Sequence, residues 1–309
     1  MHVARFVVLG LLLLLVACAL FIHFRGRVRH KFSRQLTDHS TFMAPYNALV
    51  YLFSGVSNKP ILDLADFPDL KPLKDNWQMI RDEALQLYEG GHIQASSKHN
   101  DLAFNTFFKR GWKRFYLKWY DEFMPSAKEI CPKTVELVES IPSVHAALFA
   151  LLPGKSKLGE HRDPFAGSLR YHLGLKTPNS DACRIYVDGN PYAWRDGEAV
   201  IFDETFIHSV NNDTDDSRLI LFCDIDRPIR NPVMRAVNHF VAHHIVKVTQ
   251  AQNMDTEKVG VLNKVSSGIY GLKEFFQSIK KVNRRGYYVM KYTVMLGIAV
   301  LVVLALFRK

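Results

Sequence analysis

The spacing of hydrophobic and polar positions changes character four times along the chain. Near the start, Phe6–Ile22 is an uninterrupted apolar run of 17 residues, extendable to Val3–Phe24 with Arg5 as its one charge. At about 1.5 Å per residue the longer version reaches roughly 33 Å, enough to cross a bilayer core. After Asp38–Pro60, a mixed polar and aromatic stretch that reads as a linker with a membrane-proximal turn, a helical period takes over. Trp77, Ile80, Ala84, Leu87 and Tyr88 share one face of a helix expected over Lys74–Tyr88, and Gly90-Gly91 stops it. A shorter helix is expected from Cys131-Pro132 to Glu139, ended by Pro142. From Val144 the period shortens. Apolar runs Ala146–Leu152, Ser168–Leu175, Arg184–Val187, Ala199–Phe202 and Leu219–Asp224 are separated by Gly, Pro, Asn and Asp. Evenly spaced strands of this kind predict a sandwich or jelly roll, so the fold class is mainly β with flanking helices. Arg227-Pro228 ends that region. Helical periodicity returns from Met234 to about Thr249, Val259–Ser278 is amphipathic, and Tyr287–Phe307 is a second apolar segment with Lys291 as its one charge. Tyr287, Tyr288 and Tyr292 suit a membrane interface. The expected organisation is an N-terminal membrane helix with basic flank (1–31), a linker (32–73), the strand-rich domain with its leading helices (74–232), amphipathic helices (233–286) and a C-terminal membrane helix (287–309).

Charge adds a location. The net charge is +10 and the pI about 9.4. Much of the excess sits beside the two apolar ends, in Arg25-Gly26-Arg27-Val28-Arg29-His30-Lys31 and Lys280-Lys281-Val282-Asn283-Arg284-Arg285. Juxtamembrane basic runs attract anionic lipid headgroups. No nucleic-acid motif accompanies them, so membrane rather than nucleic acid is the expected partner. Basic flanks on the inner side of both segments place the body in the cytoplasm. A cleaved signal peptide is the rival for the first segment, and Leu15-Val16-Ala17-Cys18 resembles a lipoprotein processing site. Apolarity continues past it through Ala19–Ile22, which favours an uncleaved anchor. Cys18, Cys131, Cys183 and Cys223 form no CxxC pair, which excludes a zinc site or disulfide framework of ordinary spacing.

The candidate chemistry starts from His161-Arg162-Asp163-Pro164. A histidine and an aspartate two apart on a strand face the same way, so both can reach one ion. A second such pair, His99-Asn100-Asp101, precedes the strand-rich region. His208, 45 positions after Asp163, follows the apolar run Ala199–Phe202 and can supply a third ligand. Two histidines and one carboxylate on one face leave positions open for a cosubstrate and oxygen, as in non-haem Fe(II) oxygenases. Arg170 and His172 share a face of an expected core strand, and Arg218 lies ten residues beyond His208. A buried arginine needs an anionic partner, and its planar fork matches a carboxylate. Two other clusters carry less. His239-x-x-x-His243-His244 has one box where membrane di-iron hydroxylases need several, and Asp224-Ile225-Asp226 closes a strand more simply than it serves as a metal-binding DxD.

From Trp112 to Pro228 the chain resembles the aspartyl/asparaginyl β-hydroxylase family. The matching pieces are Pro142-Ser143-Val144, Pro153-Gly154, His161-x-x-Pro164, Leu169–Leu175, Gly197–Asp203, His208–Asn212 and Arg218 to Arg227-Pro228. The resemblance implies a double-stranded β-helix (jelly roll) using Fe(II), 2-oxoglutarate and O2. By position it implies His161 and His208 as iron ligands and Arg170, His172 and Arg218 as 2-oxoglutarate ligands. Animal aspartyl/asparaginyl hydroxylases have glycine where this chain has Asp163, so Asp163 completes a triad here. With the membrane ends, that points to the lipid A hydroxylase branch. The expected partner is therefore lipid A or its precursor at a bacterial inner membrane, hydroxylated at C-2 of an acyl chain. A protein aspartyl/asparaginyl hydroxylase and a non-enzymatic membrane-tethered jelly-roll binding module are the alternatives.

Overall fold

The computed structural model describes residues 2–90, 112–120, 122–249, 251–254, 257, 276 and 278–307. Its strands are β1 (Ile61–Leu62), β2 (Lys113–Trp119), β3 (Glu122–Phe123), β4 (Val144–Leu152), β5 (Ser156–His161), β6 (Ser168–Lys176), β7 (Cys183–Val187), β8 (Asn190–Ala193), β9 (Ala199–Phe202), β10 (His208–Asn212) and β11 (Arg218–Asp226). The helices are α1 (His2–Phe24), α2 (Phe32–Gln35), α3 (His39–Phe42), α4 (Ala44–Phe53), α5 (Lys71–Asp75), α6 (Trp77–Glu89), α7 (Pro125–Ile130), α8 (Pro132–Glu139), α9 (Pro232–Val241) and α10 (Arg284–Phe307).

Two antiparallel sheets form the body: a seven-stranded one ordered β1-β9-β6-β11-β4-β2-β3 and a four-stranded one ordered β5-β10-β7-β8. From β4 onward the chain passes back and forth between them. β4, β6, β9 and β11 enter the larger sheet, and β5, β7, β8 and β10 the smaller. That is the expected jelly roll. The central strands β4, β6 and β11 are buried along nearly their whole length, which their continuous apolar runs require. One face meets the smaller sheet. The other is covered by helices, α6 contributing Ile80, Ala84 and Leu87, all fully buried. Gly197 takes φ +73° in the turn before β9, and a Cβ there would come within 2.9 Å of the Trp77 ring. Only glycine lets α6 sit that close.

The five expected strands are all present, within two residues at each end. The helix expected over Lys74–Tyr88 is two helices. It breaks at Asn76, whose side-chain amide donates to the Pro72 carbonyl at 2.9 Å and competes with the helical ladder. The helix expected from Met234 to Thr249 is regular to Val241 and then widens into a π turn over Ala242–Val246. His99-Asn100-Asp101 and nearly all of Val259–Ser278 lie outside the described residues.

The linker expected over 32–73 is not a linker. It holds α2, α3, α4 and β1, and it packs on the body. The Asn47 amide donates to the Pro164 carbonyl at 2.9 Å while its carbonyl accepts from the Ala166 amide at 3.1 Å. Val50 is fully buried with Ala166, Ile229 and Met234. The polar residues that gave the segment its linker-like composition tie down loops of the body.

The stretch Phe6–Phe24 of α1 is long and apolar enough to cross a membrane, and only 11% of its most apolar window is buried. A core helix of that composition would be covered, so α1 presents its apolar surface outward. The segment 284–307 is one continuous helix.

Candidate metal centre and anion pocket

β5 and β10 are neighbours in the four-stranded sheet, and their register pairs His208 directly with His161. The two imidazoles lie 4.1 Å apart, centroid to centroid. β5 ends at His161, so Asp163 does not share its strand face as expected. It sits in the following turn, held by a backbone hydrogen bond from its amide to the Glu204 carbonyl at 2.9 Å. One donor atom from each of His161, Asp163 and His208 lies within 4.8 Å of the others. Among the described residues no other such group of His, Cys, Asp and Glu forms. The ring partners fit a metal. His161 Nδ1 faces the Gly159 carbonyl at 2.8 Å and His208 Nδ1 faces the Phe206 carbonyl at 3.0 Å. A carbonyl only accepts, so each Nδ1 carries the proton and each Nε2 keeps its lone pair for an ion. Burial, together with the neighbouring His161, pushes His208 down to about 3, so it is a neutral ligand at ordinary pH. Burial works to raise Asp163, but the Arg170 guanidinium, with His208 and His161 beside it, holds it below the usual carboxylate range. Two neutral imidazoles and a carboxylate are the donor set of a ferrous centre.

The seven-stranded sheet brings the other charged groups. On β6, Arg170 and His172 point to the same side, opposite Asp224 and Phe222 of β11. Arg170 is surrounded by carboxylates. Its Nη2 lies 3.0 Å from Asp163 Oδ2, and its Nε lies 2.8 Å from both Glu204 Oε2 and Asp224 Oδ1. Its guanidinium also stacks 3.9 Å from the Phe222 ring. Burial, with Asp224 and Asp163 close by, raises the Glu204 carboxyl above its usual range.

Arg218 is different. It is fully buried, and none of its three guanidinium nitrogens has a hydrogen-bond partner among the described residues. It is stacked on Trp194 at 4.3 Å and Trp112 at 5.1 Å, and burial pushes it down to about 10. His172 also has no hydrogen-bond partner on either ring nitrogen among the described residues. It lies between the Phe202 and Phe222 rings, 5.0 and 5.1 Å away, and 6.0 Å from Trp194. Burial, then the charges of Arg218 and Arg170, hold it neutral. Phe202 in turn lies 5.7 Å from His208, so aromatic rings connect the donor cluster to Arg218. A buried cation with no counter-charge, beside a neutral imidazole able to donate one hydrogen bond, is a place for an anion. A dicarboxylate with one end on the metal fits this pair of sites.

Sequence reasoning missed Glu204 and Asp224 as partners of Arg170, and Trp194 and Trp112 as the walls around Arg218. An acidic residue at a strand end carries no mark of where it points. The expected pairing of His239 with His243 is present, with rings 3.8 Å apart, but no metal group forms there among the described residues. Asp224-Ile225-Asp226 ends β11, Asp224 on Arg170 and Asp226 on His145 Nε2 at 2.7 Å.

Residues 74–228, half of the chain, match the family described as aspartyl/asparaginyl beta-hydroxylase. A Rhizobium tropici protein named ornithine lipid ester-linked acyl 2-hydroxylase is 32% identical over 192 residues, which cover 60% of this chain and 66% of that protein. Human aspartyl/asparaginyl beta-hydroxylase is 29% identical over 171 residues, 54% of this chain and 22% of that protein. The chain thus spans from about a fifth to just under two thirds of the length of these relatives. Among solved structures, a Pseudomonas putida prolyl-4-hydroxylase overlaps 50% of this chain and 87% of its own, at 16% identity and a TM-score of 0.34. The family match covers the jelly roll and every candidate ligand, and by it the chain belongs to the aspartyl/asparaginyl beta-hydroxylase family.

Proposed function

We propose that the chain is a membrane-anchored Fe(II)- and 2-oxoglutarate-dependent dioxygenase that hydroxylates C-2 of an acyl chain in a membrane lipid. His161, Asp163 and His208 hold the iron. Arg218 pairs with the far carboxylate of 2-oxoglutarate, and His172 donates to it. Arg170 orients Asp163 toward the metal. When bound, the iron with 2-oxoglutarate and O2 supplies the oxidising power to convert an unactivated C–H to C–OH, with succinate and CO2 as co-products. The chain's own contribution is to bind, orient and exclude water. The apolar walls Phe202, Phe222, Trp194 and Trp112 keep bulk water from the charged groups.

The observation that carries the lipid reading is where the donor cluster sits relative to α1. Phe6–Phe24 is about 28 Å long as a helix, close to the thickness of a bilayer core of about 30 Å. Its exit, at Ile22 and Arg25, touches Arg162, which stands between His161 and Asp163, and Asp203. C-2 of an ester-linked acyl chain lies at that same depth, one bond from the ester carbonyl. The lipid need not leave the bilayer to reach the site. Lipid A or its precursor in the cytoplasmic leaflet of a bacterial inner membrane is the substrate we propose. The similarity to the Rhizobium tropici protein favours an ornithine lipid as the second reading. The helix at 284–307 is proposed as a second anchor, with the body facing the cytoplasm.

Mass spectrometry of lipid extracts, with and without the protein, tests this. One added oxygen on an acyl chain of lipid A is expected, and on ornithine lipid under the second reading. Asp163→Ala is expected to abolish it. Turnover of Asp- or Asn-containing peptides with no lipid change would overturn the lipid reading. No succinate with any substrate, and no iron binding, would overturn the enzyme.

A further inference from the structure

The basic flank after α1 is expected, from sequence, to face lipid headgroups. Arg25 does not. Its side chain is 3% exposed, with Nη2 2.5 Å from Asp203 Oδ2, Nη1 2.7 Å from Thr205 Oγ1 and Nε 2.8 Å from Asn58 Oδ1. The guanidinium is sandwiched between the Tyr51 and Phe206 rings at 3.8 and 3.9 Å. Arg227 Nη2 also lies 2.7 Å from Asp203 Oδ2, as an ion pair. Gly26 lies so close to the body that a Cβ would come within 2.7 Å of Asp188 Oδ1 and 3.2 Å of the Phe206 ring. Asp188 Oδ1 accepts from the Val28 amide at 2.8 Å.

These contacts converge on the ligands. Phe206, held by Arg25, supplies the carbonyl that fixes His208 Nδ1. Arg162, the residue between His161 and Asp163, is buried and donates from Nη1 to the Ile22 carbonyl at 3.1 Å, in the last turns of α1. The Arg162 carbonyl is met by His39 Nε2 at 2.7 Å, and the Glu160 carbonyl accepts from Arg34 Nη2 at 2.9 Å. Residues 22–39 therefore touch the chain immediately beside all three donors. Partners that fix a ligand's orientation are worth as much as tenfold to a hundredfold in metal affinity.

We propose that the exit of the membrane helix is a structural part of the metal centre, with Arg25 as a positioning residue for His208. This rests on the metal-centre reading above. α1 then does two jobs: it places the site at the membrane surface, and it holds the donor geometry on which the ion depends.

The test is Co(II) titration of the purified full-length chain in neutral detergent, followed by the visible absorption of the bound ion. Arg25→Ala is expected to weaken Co(II) binding by about tenfold or more and to shift the band positions, with Arg25→Lys recovering part of the loss. Gly26→Val, which buries no unpaired charge, is the second variant and is expected to weaken binding in the same direction. Lys31→Ala removes an equal charge from an exposed position and is expected to change nothing. Wild-type affinity and spectrum in Arg25→Ala or Gly26→Val, with an intact melting transition, would overturn the proposal. An equal loss in Lys31→Ala would also overturn it, because charge near the membrane would then be the cause. Failure of the wild-type chain to bind Co(II) would instead overturn the metal-centre reading itself.

Discussion

Arg170 and Arg218 stand on adjacent strands of the same sheet, both buried, and they have opposite electrostatic situations. Arg170 meets Asp163, Glu204 and Asp224. Arg218 meets two indole rings and no carboxylate among the described residues. Burying an arginine costs several kcal/mol unless a counter-charge is supplied. For Arg170 the chain supplies it, and the arginine is part of the scaffold that holds Asp163. For Arg218 no described residue supplies it, and under the proposed function a ligand does. Burial alone does not tell the two apart; the pairing does.

The comparison can be broken in several ways. Arg170→Met leaves buried Glu204 and Asp224, and half-buried Asp163, without this cation. It is expected to destabilise the protein by about 3–5 kcal/mol, read from thermal or urea unfolding. Arg218→Met removes a cation that has no partner among the described residues. The ligand-free protein is expected to gain about 1–4 kcal/mol of stability. The same change is expected to weaken 2-oxoglutarate by about 2–5 kcal/mol, read as a rise in its KM during succinate release. If Arg218→Met unfolds the protein as Arg170→Met does, the distinction fails.

His172→Phe has a smaller effect, about 1 kcal/mol in 2-oxoglutarate affinity for one lost hydrogen bond. It also changes a pH dependence. In the native protein His172 is held well below its usual value, first by burial and then by Arg218 and Arg170. As pH falls through about 6.5 the unfolded chain takes up a proton that the native site refuses, so wild-type stability declines below that pH. The Phe variant is expected to lose this component of the slope, measured as melting temperature against pH without ligand. The smallest effect is the control. Lys71→Ala removes a pair with Asp75 whose partners are both more than half exposed, and is expected to move stability by less than about 0.5 kcal/mol.

Much of the strand framework around the candidate site was legible in the sequence. Alternation and turn residues placed β4, β6, β7, β9 and β11 because a half-buried or buried strand must be apolar at fixed intervals. The leucines flanking Arg170 marked it as buried, which was enough to demand an anion. The identity of that anion was not legible. Glu204 follows β9 and Asp224 lies near the end of β11, and whether they face Arg170 depends on strand register, which a single sequence leaves open. The segment 32–73 read as a linker because Asn47 and Asp38 look solvated in composition. In the fold Asn47 hydrogen-bonds backbone groups of another loop, and Asp38 caps α3 through the Ser40 amide.

His161 and His208 belong to the four-stranded sheet, while His172 and Arg218 belong to the seven-stranded one. A chelated dicarboxylate would therefore tie the two layers of the sandwich together from inside. Any ligand bound only by the native state adds to its stability in proportion to the logarithm of its free concentration. A cell short of iron would then hold not only less active protein but less protein, because the empty sandwich opens more often to proteases. Supply of the metal would set the lifetime of the chain as well as its activity.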